Sequence, residues 1–347
     1  MANNGQNAQS NSEYTDRLPN VGDVLLSETN RSYTLSEVIG SGGYGTVFKA
    51  NRDTRSVALK AEKMSKTLLK VEIAVLKAAN QRRCKHFCQL FDFGRTSKDF
   101  FFIVLTLLGP DLAKLRNEMH HRHFTLSTAL RVAIQTSSAI EELHAMGFVS
   151  RDVKPGNFGI GNKNDKLQRI IYMFDFGLAR QYVDKAMNVL PARRDPGWRG
   201  TTRYGSLRAH LKKDLGRKDD YESWLYMIVE ITRGELPWRM VTDRNGVYEM
   251  KRNARKMRDR LFGSCPPTFN RLLEMIDALD FESTPNYQKI RDLLEQCCYE
   301  KGICMNEKYD WETCSIHLTT TFVQNRAEKS PSAQQRANFE RSANRPL

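Results

Sequence analysis

Two short stretches decide the fold of this chain: Ser150-Arg151-Asp152-Val153-Lys154-Pro155-Gly156-Asn157 and Asp175-Phe176-Gly177. Transfer of a phosphoryl group to a hydroxyl needs a carboxylate that orients the nucleophile, a cation beside the transferred group, and oxygen ligands for Mg²⁺. The side chains that supply this set are Asp152, Lys154, Asn157 and Asp175. The alternative, a polar turn and an unrelated strand end, requires all of them to occur in this order by accident.

A glycine-rich pattern precedes these stretches. Gly40, Gly42 and Gly45 form G-x-G-x-x-G within the string GSGGYGTVF. Alone, the pattern is equally typical of a plain hairpin turn and of a phosphate-binding loop. In dinucleotide-binding proteins such glycines open a helix, whereas here Thr46 to Phe48 continue as a strand. The sequence therefore predicts a hairpin lid whose N–H groups can approach phosphate oxygens.

A lysine follows the lid by one hairpin. Strand alternation in Val57-Ala58-Leu59-Lys60 places Ala58 and Lys60 on the same face. A single lysine is normally solvated, but its position after a glycine lid suggests a phosphate contact. Glu72, in a helix predicted to begin near Ser65, is the natural partner to hold Lys60 in place; an exposed helix glutamate is the alternative.

The hydrophobic pattern divides the chain into a strand-rich part and a helical part. Before Gly109, short runs of strand character recur, interrupted by the helical spacing after Ser65. After Gly109, helical spacing predominates. One long helix is predicted from Leu126, and another is predicted to be capped by Asp219 or Asp220. The sequence thus predicts an α+β, bilobal architecture with a ligand cleft between the lobes.

Composition sets the predicted boundaries. Residues 1–27 and 318–347 are polar, lack aliphatic periodicity and are predicted to be disordered, the second as a basic tail. The domain between them, 28–317, is predicted to have a first lobe over about 28–106, a connector over 106–109 and a second lobe over about 110–317.

The chain carries a net charge of +14, from 54 Lys and Arg against 40 Asp and Glu, which predicts an anionic partner. No apolar stretch reaches the length of a membrane span and the first residues lack a secretory pattern, so a location in the cytoplasm or nucleus is expected. The seven cysteines are expected to be free thiols, and His120, His121 and His123 to form a solvated turn. A monomer is the favoured state.

Together these motifs resemble the eukaryotic protein kinases, and several segments resemble the casein kinase I superfamily. The segments that carry this second resemblance are 107–110 (LLGP), 154–158 (KPGNF), 200–206 (GTTRYGS), 219–223 (DDYES) and 236–238 (LPW). Residues 124–128 (FTLST), 175–182 (DFGLARQY) and 309–312 (YDWE) are similar to the tau-tubulin-kinase-like branch. The resemblance spans about residues 30 to 312 and implies a Ser/Thr protein kinase that uses ATP and Mg²⁺.

The resemblance also implies roles for individual residues. Asp152 would be the catalytic base, assisted by Lys154; Lys60, held by Glu72, would bind the α- and β-phosphates of ATP; Asn157 and Asp175 would bind the metal. Leu105 would be the gatekeeper, with the backbone from Thr106 to Leu108 against adenine. The implied nucleotide contacts are Ile39, Gly40, Ser41, Gly42, Gly43, Tyr44, Gly45, Val47, Ala58, Lys60, Leu105, Thr106, Leu108 and Asn157.

Departures from the family pattern keep a second hypothesis open. Ser150 stands where kinases usually have His, Gly205-Ser206-Leu207-Arg208 replaces the usual A-P-E string, and Gly205 replaces the family's usual Ala. A catalytically weak or silent kinase-fold scaffold is therefore the alternative to an active enzyme. Because every residue that handles phosphate, metal or proton is present, activity is the favoured hypothesis.

The basic residues suggest a substrate class. Between Arg193 and Lys218 lie nine basic and two acidic residues, in the segment where kinases hold substrate. We expect a preference for acidic or phosphorylated protein sites; the alternative is a solvated loop. The cations assigned to substrate are Arg193, Arg194, Arg203, Lys212 and Lys213. Nucleic acid is an unlikely partner, and binding through Lys251 and Arg252 would be its signature.

Overall fold

The computed structural model describes residues 14–96 and 99–313, so the tail predicted over 318–347 lies outside the described residues. Its first lobe is an antiparallel sheet with one helix packed against it. The elements are β1 (Val24–Leu26), β2 (Ser32–Ser41), β3 (Gly45–Arg52), β4 (Arg55–Lys63), α1 (Leu69–Arg82), β5 (Leu90–Arg95) and β6 (Phe100–Leu105). The sheet order is β1-β2-β3-β4-β6-β5.

The register of the central strands places the predicted cleft residues side by side. Val47 on β3 pairs with Lys60 on β4, and Ala58 on β4 pairs with Leu105 at the end of β6. The lid is the β2–β3 turn. Gly45 begins β3 so close to β4 that a Cβ atom would lie 1.9 Å from the carbonyl oxygen of Ala61, and glycine is therefore required there.

The second lobe is mainly helical. Its elements are α2 (Leu112–Glu118), α3 (Leu126–Ala145), β7 (Phe148–Val149), β8 (Phe158–Ile160), β9 (Ile171–Met173), β10 (Arg180–Gln181), α4 (Leu207–His210), α5 (Arg217–Arg233), α6 (Arg244–Lys256), α7 (Arg258–Phe262), α8 (Thr268–Asp277), α9 (Tyr287–Glu300) and α10 (Asp310–Thr313). Helices α3 and α5 form its centre, where Trp224 and Tyr221 are fully buried. The predicted bilobal α+β fold is confirmed.

Several predicted boundaries differ from the structure. Helix α1 begins at Leu69, not at Ser65, because the Glu62 side chain accepts the N–H of Leu68 and residues 64–66 form a separate 3₁₀ turn. Helix α5 is capped at Gly216, not by an aspartate at its first position; Asp219 lies in the first turn and accepts the Gly216 N–H.

The segment predicted to be disordered through residue 27 includes an ordered strand. Val24–Leu26 form β1, which adds to the edge of the sheet by pairing with Ser32–Thr34. The sequence Phe87–Phe93 has strand character, but the strand in the structure, β5, begins at Leu90. Within the described ranges, no helix is both long and apolar enough to cross a membrane.

Candidate active site

The two lobes enclose a cleft of about 480 Å³ that is lined by several of the predicted site residues. The lid contributes Gly43 and Tyr44, the loop after β7 contributes Asp152 and Lys154, and Asp175 also lines the cleft. The cleft extends along residues 200–204 of the basic segment. One continuous space therefore joins the lid, the acidic groups and the proposed substrate segment.

Lys60 lies at the centre of an ion cluster. Its Nζ atom is 2.7 Å from Glu72 on α1, 3.2 Å from Asp175 and 3.4 Å from Glu62. Burial alone would lower the pKa of Lys60, but the charges of Asp175, Glu72 and Glu62 raise it well above the usual value. The structure thus brings Lys60 and Glu72 together as predicted. It adds Glu62, which strand alternation could have identified because it follows Lys60 by two residues.

Asp152 is held by three side chains. Its carboxylate accepts hydrogen bonds from Lys154 Nζ (2.5 Å), Thr201 Oγ1 (2.7 Å) and Asn157 Nδ2 (3.3 Å). The 3₁₀ turn Pro155–Asn157 places the amide of Asn157, which also donates to the Asp152 carbonyl at 2.9 Å. Asp152 is therefore oriented in the cleft beside a cation, as a proton acceptor for a hydroxyl requires.

Strained backbone places the acidic loops. Arg151 and Asp175 have φ angles of +66° and +62°, a region that costs a non-glycine residue about 1 kcal/mol or more. The carboxylate of Asp220 on α5 stabilises the first loop by accepting the N–H groups of Ser150 (2.7 Å) and Arg151 (2.8 Å). Phe176 stacks on Phe87, with 5.3 Å between the ring centroids, and so anchors the second loop, which contains Asp175.

Ser150, the departure from the family pattern, has a limited side-chain role. Its Oγ atom accepts the N–H of Asp152 at 3.3 Å, a long hydrogen bond. Its contact with Asp220 is through the backbone.

The residues predicted to surround a nucleotide base share one apolar cluster. Ile39, Val47, Ala58, Leu105 and Leu108 are each at most 3% exposed and belong to the same core. The remaining predicted contacts follow the lid. Gly40 and Ser41 end β2, Gly42, Gly43 and Tyr44 form the turn, and Gly45 begins β3.

Thr106 is fixed at the connector. Its N–H donates to the Gln89 carbonyl at 3.1 Å, and its hydroxyl accepts the Gln89 N–H at 2.9 Å. The carbonyl group of Thr106 is thus the part of that residue that could accept a hydrogen bond from a nucleotide base.

The donor set near Asp175 suits a cation that shares its ligands with phosphate. Within the described ranges, no group of three or more His, Cys, Asp or Glu side chains is arranged to hold a metal. The Asn157 amide nitrogen donates to Asp152, so the amide oxygen of Asn157 and the carboxylate of Asp175 are the candidate metal ligands. In phosphoryl-transfer sites, Mg²⁺ typically has one or two oxygen ligands from the protein and takes its other ligands from phosphate and water. Asn157 and Asp175 fit this pattern.

The basic segment is partly neutralised by a carboxylate that the sequence did not reveal as important. Asp214, fully buried, accepts hydrogen bonds from Arg180 and from the backbone and side chain of Arg193. Burial raises its pKa, but these hydrogen bonds and positive charges outweigh that effect and lower it to about 2. Arg203 contacts Glu230 at 3.3 Å and stays 40% exposed. Arg194, Lys212 and Lys213 are also exposed.

The burial of Lys251 rules out the nucleic-acid contact suggested for it. The lysine is 0% exposed, so it cannot contact a duplex, and Arg252 beside it pairs with Glu249 on the helix surface. The basic run from Lys251 to Arg260 is therefore not one continuous surface patch.

Comparison with known proteins defines the class. A family model described as protein kinase domain matches residues 33–302. A probable serine/threonine-protein kinase of Dictyostelium discoideum is 35% identical over 299 residues, which are 85% of this chain and 59% of that protein. The serine/threonine-protein kinase spe-6 of Caenorhabditis elegans is 32% identical over 307 residues, 85% of this chain and 79% of that protein.

A casein kinase I homolog of Kluyveromyces lactis is 32% identical over 288 residues, 80% of this chain and 53% of that protein. The chain thus aligns with between about half and four fifths of these relatives' lengths. It belongs to the protein kinase family, and its relatives there are serine/threonine kinases that include casein kinase I homologs.

Proposed function

We propose that this protein transfers the γ-phosphate of ATP to serine or threonine residues of protein substrates. The observation that carries the proposal is the placement of Asp152 and Asp175 in one cleft, with Lys60 Nζ 3.2 Å from the Asp175 carboxylate. Asp152 would orient the substrate hydroxyl and accept its proton, while Lys154, 2.5 Å away, would offset charge on the transferred group. The oriented carboxylate and the adjacent cation are the two groups that this chemistry requires.

The nucleotide contacts follow from the same geometry. Lys60, kept charged by its carboxylate neighbours, would bind the α- and β-phosphates beneath the lid. Asn157 and Asp175 would hold Mg²⁺, which neutralises phosphate charge when bound. The apolar cluster that contains Ala58 and Leu105 would enclose adenine.

A labelling assay separates the enzyme from the alternative, a kinase-fold scaffold. Purified wild type should incorporate label from ATP into casein, whereas Asp152→Asn should lose activity by about a thousandfold because the proton acceptor is gone. Asp165→Asn, at an exposed residue of the same lobe, is the control. Equally low incorporation by wild type and Asp152→Asn, with Mg²⁺-ATP still raising the melting temperature, would favour the scaffold.

We propose further that substrates carry acidic or phosphorylated residues near the target hydroxyl. Arg203 supports this because it borders the cleft and its side chain is 40% exposed. Arg194, Lys212 and Lys213 supply further exposed positive charge, whereas Arg193 is mostly committed to Asp214. Clustered cations attract oxyanions and repel basic peptides.

A peptide array tests this preference. Acidic and phosphorylated sequences should outperform arginine-rich ones, and Arg203→Ala should reduce the difference by about fivefold. Arg239→Ala, at an exposed arginine paired with Glu235, is the matched control. An array in which arginine-rich peptides are preferred would contradict the proposal.

Membership of the tau-tubulin-kinase-like branch is proposed on a contact between two of the branch-like segments. Thr125 donates its N–H to Asp310 at 2.7 Å, and the Phe124 and Trp311 rings lie 5.7 Å apart. The contacting residues are 185 apart in sequence, so these two segments form one structural unit. Relatives that retain both segments together, and casein kinases that lack both, would support the assignment.

A further inference from the structure

Lys251 is a buried lysine whose hydrogen-bond partners are uncharged at neutral pH. It projects from α6 and its Nζ atom lies 2.6 Å from the Gly205 carbonyl, 3.0 Å from the Thr202 carbonyl and 3.2 Å from His210 Nε2. The rings of Tyr226 and Trp238 lie 5.0 and 5.3 Å away and offer cation–π contacts. All three N–H groups of the ammonium thus have an acceptor.

The same loop is held at a third carbonyl. Trp238 Nε1 donates to the Arg203 carbonyl at 2.8 Å, between the two carbonyls that Lys251 binds. Three of the four carbonyls from Thr202 to Gly205 therefore accept hydrogen bonds from side chains of the helical lobe. This loop lines the cleft that contains Asp152, and the hydroxyl of Thr201 just before it contacts Asp152.

The residues that follow the loop show what this anchor adds. Where kinases usually have A-P-E, the Ser206 hydroxyl bonds to Asp219 at 2.7 Å and the Leu207 N–H bonds to Glu222 at 2.8 Å. Those contacts fix the loop from its carboxyl-terminal side. Lys251 and Trp238 act on the preceding residues, which border the substrate end of the cleft.

We propose that Lys251, together with Trp238, is a positioning residue that fixes the loop Thr202–Gly205 in the shape that receives a protein substrate. The loop then presents the Arg203 side chain to the cleft; this last part rests on the proposed acidic-substrate preference, whereas the anchoring itself does not. Deprotonation of Lys251 leaves two N–H donors, one for each carbonyl, so the anchor needs hydrogen bonds more than charge.

Steady-state kinetics test the role. Lys251→Met keeps the length of the side chain and removes the donors, so the KM for a peptide substrate should rise about tenfold because two buried carbonyls lose their partner. The KM for ATP and kcat should change less than about twofold, since neither Lys60 nor Asp152 contacts Lys251. Arg252→Met, the next residue on the same helix but exposed, is the matched control and should resemble wild type.

Acidic and neutral peptides separate this inference from the proposed preference. A similar rise in KM for acidic and for neutral peptides supports the anchoring role of Lys251, even if the enzyme has no preference for acidic substrates. If Lys251→Met proves too unstable to assay, Trp238→Phe is the second variant. It removes a single donor while it keeps an aromatic ring, and it should raise the peptide KM by about threefold.

Hydrogen exchange gives a readout that does not need catalysis. The Tyr204 and Gly205 N–H groups donate to the Thr201 carbonyl, so loosening the loop exposes them. Exchange at these amides should be about tenfold faster in Lys251→Met than in Arg252→Met. Unchanged exchange and an unchanged peptide KM in folded Lys251→Met, with a lower melting temperature as the main effect, would overturn the proposal.

Discussion

Lys60 and Lys251 are both buried, yet their surroundings are opposite in kind. Lys60 lies within 3.4 Å of three carboxylates, whereas Lys251 lies against two carbonyl oxygens, one imidazole and two aromatic rings. The pKa of Lys60 is consequently raised well above its usual value, while burial lowers the pKa of Lys251 to about 7. One lysine is held as a charge, and the other mainly as a set of hydrogen-bond donors.

The difference between these two lysines indicates what each site does. At Lys60, three carboxylates outnumber one ammonium, so the site retains negative charge that suits a divalent cation. At Lys251 the two nearest partners are backbone carbonyls, so the lysine shapes a loop. Two charged neighbours have opposite effects on the pKa of Lys251, which burial lowers most: Glu222 on α5 raises it and Arg255 on α6 lowers it.

The largest effect is expected from removing Lys60. Lys60→Met should reduce phosphate transfer by about a thousandfold, because the proposed phosphate contact is lost. It should also lower the free energy of unfolding by about 3 kcal/mol, since Glu72 and its carboxylate neighbours lose their counter-charge. Label incorporation and chemical denaturation measure the two effects.

A double variant separates charge balance from catalysis. Lys60→Met with Glu72→Gln should recover part of the unfolding free energy and none of the activity. If Lys60→Met alone were as stable as wild type, the carboxylates would not depend on this lysine and the comparison would fail.

The next effect is a pH dependence of stability that arises at Lys251 and is isolated by comparison with Lys251→Met. Above pH 7 the native side chain loses its proton while the unfolded lysine, with its usual pKa of 10.5, keeps it. Raising the pH from 7 to 9 should therefore stabilise wild type relative to Lys251→Met by roughly 2 kcal/mol. Lys60 should add no such slope, because its raised pKa keeps both states protonated in this range.

Denaturation of wild type and Lys251→Met at pH 6, 7, 8 and 9 checks this difference. The groups that face Lys251 are His210 on α4, Glu222 and Tyr226 on α5, and Arg255 on α6. The pKa of His210 is lowered to about 3, chiefly by burial, so its titration lies outside the tested range. Parallel curves for the two proteins would contradict the expected titration of Lys251.

The same contrast explains what the sequence could reveal. Lys60 and Glu72 were predictable because both belong to patterns in the first lobe that link a lid, a strand and a helix. The role of Lys251 was not predictable, because its partners are backbone carbonyls and aromatic rings. The carbonyls are 46 and 49 residues away in sequence, and backbone groups leave no recognisable side-chain pattern. The sequence accordingly suggests only a nucleic-acid contact for Lys251 and its neighbour Arg252, and no buried role.

The misplaced start of α1 has a similar cause. Ser65 is a good capping residue by type, but the Glu62 side chain on β4 reaches the Leu68 N–H and moves the start to Leu69. Asp214 also carried no signal, because its importance comes from Arg180 and Arg193 converging on it from 34 and 21 residues away. Tertiary contacts decide these details, whereas local patterns predict the lobes and the cleft.

A smaller effect is expected at Asp214, whose buried charge is matched by two arginines. Asp214→Asn should lower kcat/KM by about fivefold, because Arg180 and Arg193 then repel each other and loosen the basic segment. Its pKa is lowered, so the charge and its stabilising contribution are present above the usual pKa of 3.8 and are lost as the pH falls toward 2.

Asp195→Asn, at an exposed aspartate of the same segment, is the control for Asp214 and should retain wild-type kcat/KM. We also expect that activity does not depend on phosphorylation of Thr201 or Thr202, since Asp214 already supplies the segment with a fixed negative charge. Mass spectrometry that tied activity to a phosphate on either threonine would contradict this.

The smallest effect is expected at Ser150, although it lies two residues from Asp152. The backbone N–H of Ser150, not its side chain, holds the loop to Asp220, and its hydroxyl makes only the long hydrogen bond to the Asp152 N–H. Ser150→Ala should therefore change kcat/KM by less than about threefold, in contrast to Asp220→Asn, which weakens both loop contacts and should cost tenfold or more. If Ser150→Ala abolished label transfer while the melting temperature stayed the same, the hydroxyl would have to support Asp152 directly. The distance of a residue from Asp152 would then predict its importance better than the type of hydrogen-bond partner it has.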